Sequence, residues 1–124
     1  MRRYPDIDIV TDAGGAATVY SGYIRGGIES IQYVKDGGAN PLAATADIVI
    51  SDDVTGEVLN TFTDINATTV VRPRAALHDT AGAARLYAAG GTAVAGHYVV
   101  AGRLKIVVAQ GGNAKVGKIR IIGN

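Results

Sequence analysis

The stretch RLKIVVAQGGNAKVGKIRIIG, residues 103–123, decides the fold class of this chain. Its two apolar runs, RLKIVVA and KIRIIG, are rich in the β-branched residues that favour strands. In the second run Ile119 and Ile121 alternate with Lys118 and Arg120, which is the period of a half-buried strand. The intervening QGGNAKVG, residues 110–117, has the composition of a hairpin connection. The C-terminal region is therefore predicted to form β-strands joined by a hairpin loop.

Short strands are also predicted along the rest of the chain. In residues 6–10, Ile7 and Ile9 share one face. The glycine pairs at 14–15 and 26–27 are predicted turns, and Pro73 ends a strand because its nitrogen cannot donate a hydrogen bond. The remaining predicted strands are residues 17–24, 28–34, 46–51, 58–62, 67–72 and 97–101. About eight strands at near-regular spacing predict an all-β fold, an antiparallel β-sandwich or a jelly-roll-like barrel.

One segment departs from the strand pattern. In DTAGAARLYAAGG, residues 79–91, Asp79 or Thr80 is placed as a helix N-cap and Gly90 as a C-terminal stop. One short helix is therefore predicted there. Residues 1–6 are predicted to be an N-terminal arm, and residues 7–124 a single β-sandwich domain.

Composition excludes several classes of function. Of the 124 residues, 48% are hydrophobic and 19% are charged, which is typical of one packed domain. The formal charge of +1 gives no basic excess for direct nucleic-acid binding. There is no cysteine, so disulfides and thiolate chemistry are excluded. We expect no signal peptide, because the opening MRRYPDIDIV lacks an apolar run, and no membrane span.

The residues that could carry chemistry are few. His78 is followed by Asp79, which could orient its imidazole, but no serine lies in a Gly-x-Ser-x-Gly elbow. His78 and His97 without cysteine make a poor metal site. Residues 52–57 could cluster carboxylates around Ca²⁺ but lack the spacing of a calcium loop, so a solvated hairpin turn is expected. We therefore expect no enzymatic activity, no metal and no cofactor.

The segment VVRPRAALHDTAGAARLYAAGG, residues 70–91, is instead a candidate assembly surface. Pro73 stiffens the backbone between Arg72 and Arg74, and arginine forks are enriched in protein interfaces. The following alanines and glycines permit close approach of another backbone and lose little rotamer entropy when ordered. The alternative interpretation is that the two arginines serve only solubility.

Four stretches carry a resemblance that covers most of the chain: TDAGGAATVYS, IQYVKDG, PRAALHDTAGAARLYAAGGTAV and RLKIVVAQGGNAKVGKIRII. In these the chain resembles a group of small virion structural proteins of tailed bacteriophages and related prophages. The resemblance implies a capsid decoration (cement) protein, made in the host cytoplasm and located on the capsid surface. It further implies that the protein binds the major capsid protein and associates with itself, as a homotrimer.

Two segments are expected to meet the partner. The N-terminal arm, residues 1–6, could reach an acidic capsid surface, and residues 72–89 form the second contact. The predicted interface residues are Arg2, Arg3, Tyr4, Arg72, Arg74, His78, Asp79, Arg85 and Tyr87. Three alternatives stay open: a head–tail joining or tail-associated protein, a carbohydrate-binding β-sandwich that uses the six tyrosines, and an enzyme.

Overall fold

The computed structural model describes residues 2–76 and 95–124, which form twelve strands. The predicted all-β class is confirmed, since the described part of the chain contains strands and no helix, and its antiparallel sheets form a sandwich-like arrangement. The predicted helix at 79–91 lies outside the described residues. The strands are β1 Arg2–Arg3, β2 Ile7–Val10, β3 Ala17–Tyr20, β4 Ile24–Lys35, β5 Asp47–Asp52, β6 Val58–Phe62, β7 Thr69–Val71, β8 Arg74–Ala76, β9 Ala95–His97, β10 Val99–Gly102, β11 Leu104–Ala109 and β12 Val116–Gly123.

The strands are distributed over two larger sheets and one ribbon. In the six-stranded sheet β12 and β4 are central; β1 and β2 pair with β12, and β7 and β10 pair with β4. The four-stranded sheet has the order β3-β11-β5-β6. The two-stranded ribbon consists of β8 and β9, in which Arg74 is opposite His97. All of these pairings are antiparallel.

A single apolar cluster receives side chains from both larger sheets, because alternate residues of each strand point inward. Ile7 and Ile9 are both buried, as their spacing predicts. On β12, Ile119 and Ile121 are fully buried, while Lys118 is exposed and Arg120 is half-buried. The predicted inward faces of β2 and β12 are therefore confirmed.

The predicted hairpin at residues 110–117 is wrong. β11 belongs to the four-stranded sheet and β12 to the six-stranded sheet, so this segment crosses between the sheets. β11 cannot pair with β12 because β3 and β5 already occupy its two edges. The glycine-rich composition predicts a tight connection but does not say which strands it joins.

The predicted turn at Gly26–Gly27 is also wrong, since β4 runs unbroken through both residues. Gly26 has a φ of +99°, a conformation that glycine adopts without strain. At Gly27 a Cβ atom would lie 3.2 Å from the Cβ of His97, so the missing side chain lets the ribbon approach. The chain instead crosses between the two sheets at residues 21–23, where the hydroxyl of Ser21 accepts a hydrogen bond from the Leu104 amide. The predicted single strand at residues 17–24 is therefore wrong, since β3 ends at Tyr20 and β4 begins at Ile24.

The N-terminal segment pairs with the last strand. Arg2 is opposite Gly123 and Arg3 is opposite Ile122, and the amide of Tyr4 donates to the carbonyl of Ile121. Residues 2–4 are therefore part of the six-stranded sheet, and the division into an arm and a domain stays a prediction. Within the described ranges no helix is long and apolar enough to cross a membrane.

Candidate partner-binding surface

A β-bulge in β4 places Glu29, a carboxylate that contacts two other charged or titratable side chains. Opposite β12, Ser30 pairs with Ile122 but Ile28 pairs with Gly123, so Glu29 is an extra residue on the β4 side. Such an insertion interrupts the strict alternation of a strand and redirects a side chain. Ile28 and Ile31 can therefore both be buried, while Glu29 stays half-exposed beside the ribbon.

Glu29 contacts both strands of the ribbon. Its Oε2 lies 2.7 Å from Nε2 of His97 on β9, and its Oε1 accepts from Nη2 of Arg74 on β8 at 3.2 Å. Nη1 of Arg74 donates to the backbone carbonyls of Glu29 and Pro73, at 3.1 and 2.8 Å. Because Arg74 and His97 face each other in the ribbon, one carboxylate links both strands to β4.

The surroundings of Glu29 favour its charged form. The hydrogen bond with His97 lowers the pKa of the Glu29 carboxyl, and partial desolvation opposes this effect. The positive charges of Arg74, His97 and Arg72 lower the pKa further, so that it lies below the ordinary value of 4.5. The sequence offers no sign of this cluster, because Glu29 becomes adjacent to the ribbon only through the bulge.

The two arginines of RPR have different environments. Arg74 is directed to Glu29, with 29% of its side chain exposed. Arg72 is exposed, and Pro73 between them is buried. Of the predicted interface residues in this segment, Arg72 is thus the one that the structure places on the surface. His78, Asp79, Arg85 and Tyr87 lie outside the described residues.

The predicted residues of the N-terminal segment also separate. Arg2 is exposed, and 61% of the Arg3 side chain is exposed, with its Nη2 3.5 Å from Oδ1 of Asp6. Tyr4 is half-buried against the core and fills space over Gly123, where a Cβ would lie 2.8 Å from its ring. Tyr4 therefore stabilises the sheet edge, whereas Arg2 and Arg3 remain accessible to a partner.

Arg120 organises the centre of the outer face of the six-stranded sheet. Its Nε and Nη2 donate to the two carboxylate oxygens of Asp6, both at 3.2 Å, and its Nη1 donates to Gln32 at 3.4 Å. The hydrogen bond with Arg120 is the main cause that lowers the pKa of Asp6, against some desolvation. Arg3 adds a further positive charge. Asp6 and Arg120 thus form an ion pair on this part of the face, with Arg3 as a second cation beside Asp6.

Apolar side chains accompany these charges on the same outer face. Val70 is opposite Gln32 and is 45% exposed, and Val10 at the β2 edge is 63% exposed. Between them Lys118 is opposite both Asp8 and Val34. A groove of about 380 Å³ over β2, β12 and the end of β4 is lined by Asp8, Val10, Val34 and Lys118, among others. Val10 and Val70 thus add exposed apolar area to a face that also carries the Asp6–Arg120 ion pair.

A second exposed cluster lies where β3 and β10 end and β11 begins. The guanidinium of Arg103 stacks 3.8 Å from the ring centroid of Tyr20, and its Nε donates to Asp53 at 2.8 Å. Nearby, Arg25 lies 5.8 Å from the ring centroid of Tyr23, which is 63% exposed. Tyrosine and arginine are the residue types that most often dominate protein interfaces.

The carboxylates of residues 52–57 shape the β5–β6 turn. Oδ1 of Asp52 accepts from the amides of Val54 and Thr55, at 2.8 and 3.2 Å, while Asp53 binds Arg103. In the described ranges, no three His, Asp or Glu side chains lie close enough to hold a metal ion.

No family model matches the chain, and a search of the curated proteins returns no match.

Proposed function

We propose that this chain is a non-enzymatic structural protein of a phage virion, a decoration protein that binds the outer face of the capsid. The observation that carries the proposal is the outer face of the six-stranded sheet, which presents the exposed Val10 and Val70 together with the Asp6–Arg120 ion pair. An interface core favours paired charge and apolar contact area, and the Asp6–Arg120 pair with the two valines supplies both. The sequence resemblance to small phage virion proteins supplies the partner, the major capsid protein.

A trimer would suit this role on physical grounds. A contact of small area between one copy and the shell is weak by itself. Three linked copies that engage fixed capsid subunits turn the second and third contacts into intramolecular events, which raises the overall affinity without new contacts. A sandwich of short strands with buried isoleucines is a rigid support for this task.

The test is co-sedimentation of the purified protein with mature capsids stripped of accessory proteins, over a concentration series. We expect saturation at a fixed ratio to the major capsid protein, and no binding to free capsid subunits. Equal binding to shells and to free subunits would contradict a decoration role. Absence from shells together with presence in isolated tails would favour the tail-associated alternative.

Substitutions can locate the contact. We expect Val10→Glu combined with Val70→Glu to weaken shell binding by tenfold or more, since each places a charge in a desolvated contact. Thr61→Glu is the matched control, because Thr61 is exposed on an outer strand of the other sheet. Equal weakening by the double variant and the control would refute the assignment of this face.

A further inference from the structure

We infer that Glu29, Arg74 and His97 form an acid-sensitive latch, which holds the β8–β9 ribbon on the six-stranded sheet and releases it when the carboxylate is protonated. The inference concerns the fold itself and does not require the proposed function. It starts from the geometry of the bulge: one carboxylate uses one oxygen for Arg74 and the other for His97.

The ribbon has few other means of attachment within the described part of the chain. Apart from Arg74 and His97, its residues are alanines and one glycine, which bury little apolar area. The backbone of β9 continues through Tyr98, whose carbonyl accepts from the amide of Ile28 at 2.9 Å. This main-chain bond lies at the same end of the ribbon as the facing pair Arg74 and His97, where Glu29 adds the side-chain contacts. The Glu29 latch is therefore the main side-chain connection between both ribbon strands and β4.

The charged groups that surround the latch all favour the ionised carboxylate. Three positively charged or titratable side chains face Glu29: Arg74 from β8, His97 from β9, and Arg72 from the segment that leads into β8. β12 faces the bulge with Ile122 and Gly123, which do not titrate. Protonation of Glu29 removes its charge, so the hydrogen bonds from Arg74 and His97 to this side chain lose their charge assistance, while the bonds from Arg74 to backbone carbonyls remain.

The direction of the pH dependence follows from the lowered pKa of Glu29. A carboxyl group whose pKa is lower in the folded protein than in the unfolded chain stabilises the folded arrangement at pH values above its pKa in the unfolded chain. That contribution disappears as the pH falls through the folded pKa. The latch is therefore closed at neutral pH and opens on acidification below 4.5, the ordinary value for this carboxyl.

The experiment is hydrogen exchange of the full chain between pH 3 and pH 7, corrected for the intrinsic rate, with amides of β11 as an internal reference. In the wild type we expect ribbon amides to lose protection relative to β11 as the pH falls. In Glu29→Gln the ribbon should exchange about fivefold faster already at neutral pH, and without the acid step. Glu57→Gln is the matched control, because Glu57 is exposed in the β5–β6 turn and should behave like the wild type.

Two results would overturn the latch. One is a Glu29→Gln ribbon that is as well protected as the wild type at neutral pH while β11 stays protected. The other comes from the wild type alone and covers the case of a variant that does not fold. If the carboxyl carbon of Glu29, followed by NMR, titrates with a midpoint different from that of the ribbon amides, another group controls the ribbon.

Discussion

Thr11→Val should destabilise the protein by about 2 kcal/mol, because Thr11 ties β2 to the crossing between the two sheets. Thr11 is 4% exposed, and its hydroxyl donates to the carbonyl of Gly112 at 2.6 Å and accepts from the amide of Lys115 at 2.8 Å. Valine has nearly the same shape but neither hydrogen bond. Each backbone group left without a partner costs about 1–3 kcal/mol, and partial access of water places both near the lower limit.

Urea unfolding measures this cost. With a slope of about 2 kcal/mol per molar urea for a domain of this size, the midpoint should fall by about 1 M. Thr18→Val is the control: Thr18 is exposed on β3, so its change should stay within about 0.5 kcal/mol. Thr11→Ser keeps the hydroxyl and should retain most of the stability. A Thr11→Val midpoint equal to that of the wild type, with an unchanged slope, would refute the role assigned to the two hydrogen bonds.

Two further substitutions test the packing of β12 and the charge pair on the outer face. Gly117→Ala should destabilise the protein by about 1–3 kcal/mol, because the new Cβ would lie 2.9 Å from Cε1 of buried Tyr33. The measurement is the melting temperature, which should fall. Gly37→Ala is the control: its Cβ position is open space, so the melting temperature should stay unchanged. Asp6→Asn should lower stability at neutral pH, where the Asp6–Arg120 bonds are intact. Since the pKa of Asp6 lies below its ordinary 3.8, the difference from the wild type should shrink as acid protonates Asp6; a difference that is constant with pH would contradict this explanation.

Strand positions were largely predictable from the sequence, whereas strand partners were not. The alternation of isoleucines with polar residues in β2 and β12 follows from burial of one face, which is a local property. The destination of residues 110–117 depends on which edges of β11 are already occupied, and no local pattern carries that information. The same limit explains Gly26–Gly27, because a glycine pair suits a turn and a close approach of strands equally well.

The candidate surface was predictable only in part, for a related reason. The sequence predicts that Arg72 and Arg74 act as a rigid pair on the surface. In the structure Arg74 instead binds the carboxylate of Glu29, which is 45 residues away in the sequence. The bulge that aims Glu29 consists of one extra residue, recognisable only once the partner strand is known. Val10 and Val70 likewise belong to one face because β12 and β4 lie between their strands.

The central place of β12 has a consequence for biosynthesis. During translation β4, β1 and β2 leave the ribosome long before the strand that must lie between them. Until residues 116–123 are available, the isoleucines of β2 and β4 lack the neighbour that buries them, and the edges of both strands stay open to other chains. The six-stranded sheet therefore closes only after residues 116–123 have left the ribosome, and until then the open edges favour pairing with other chains.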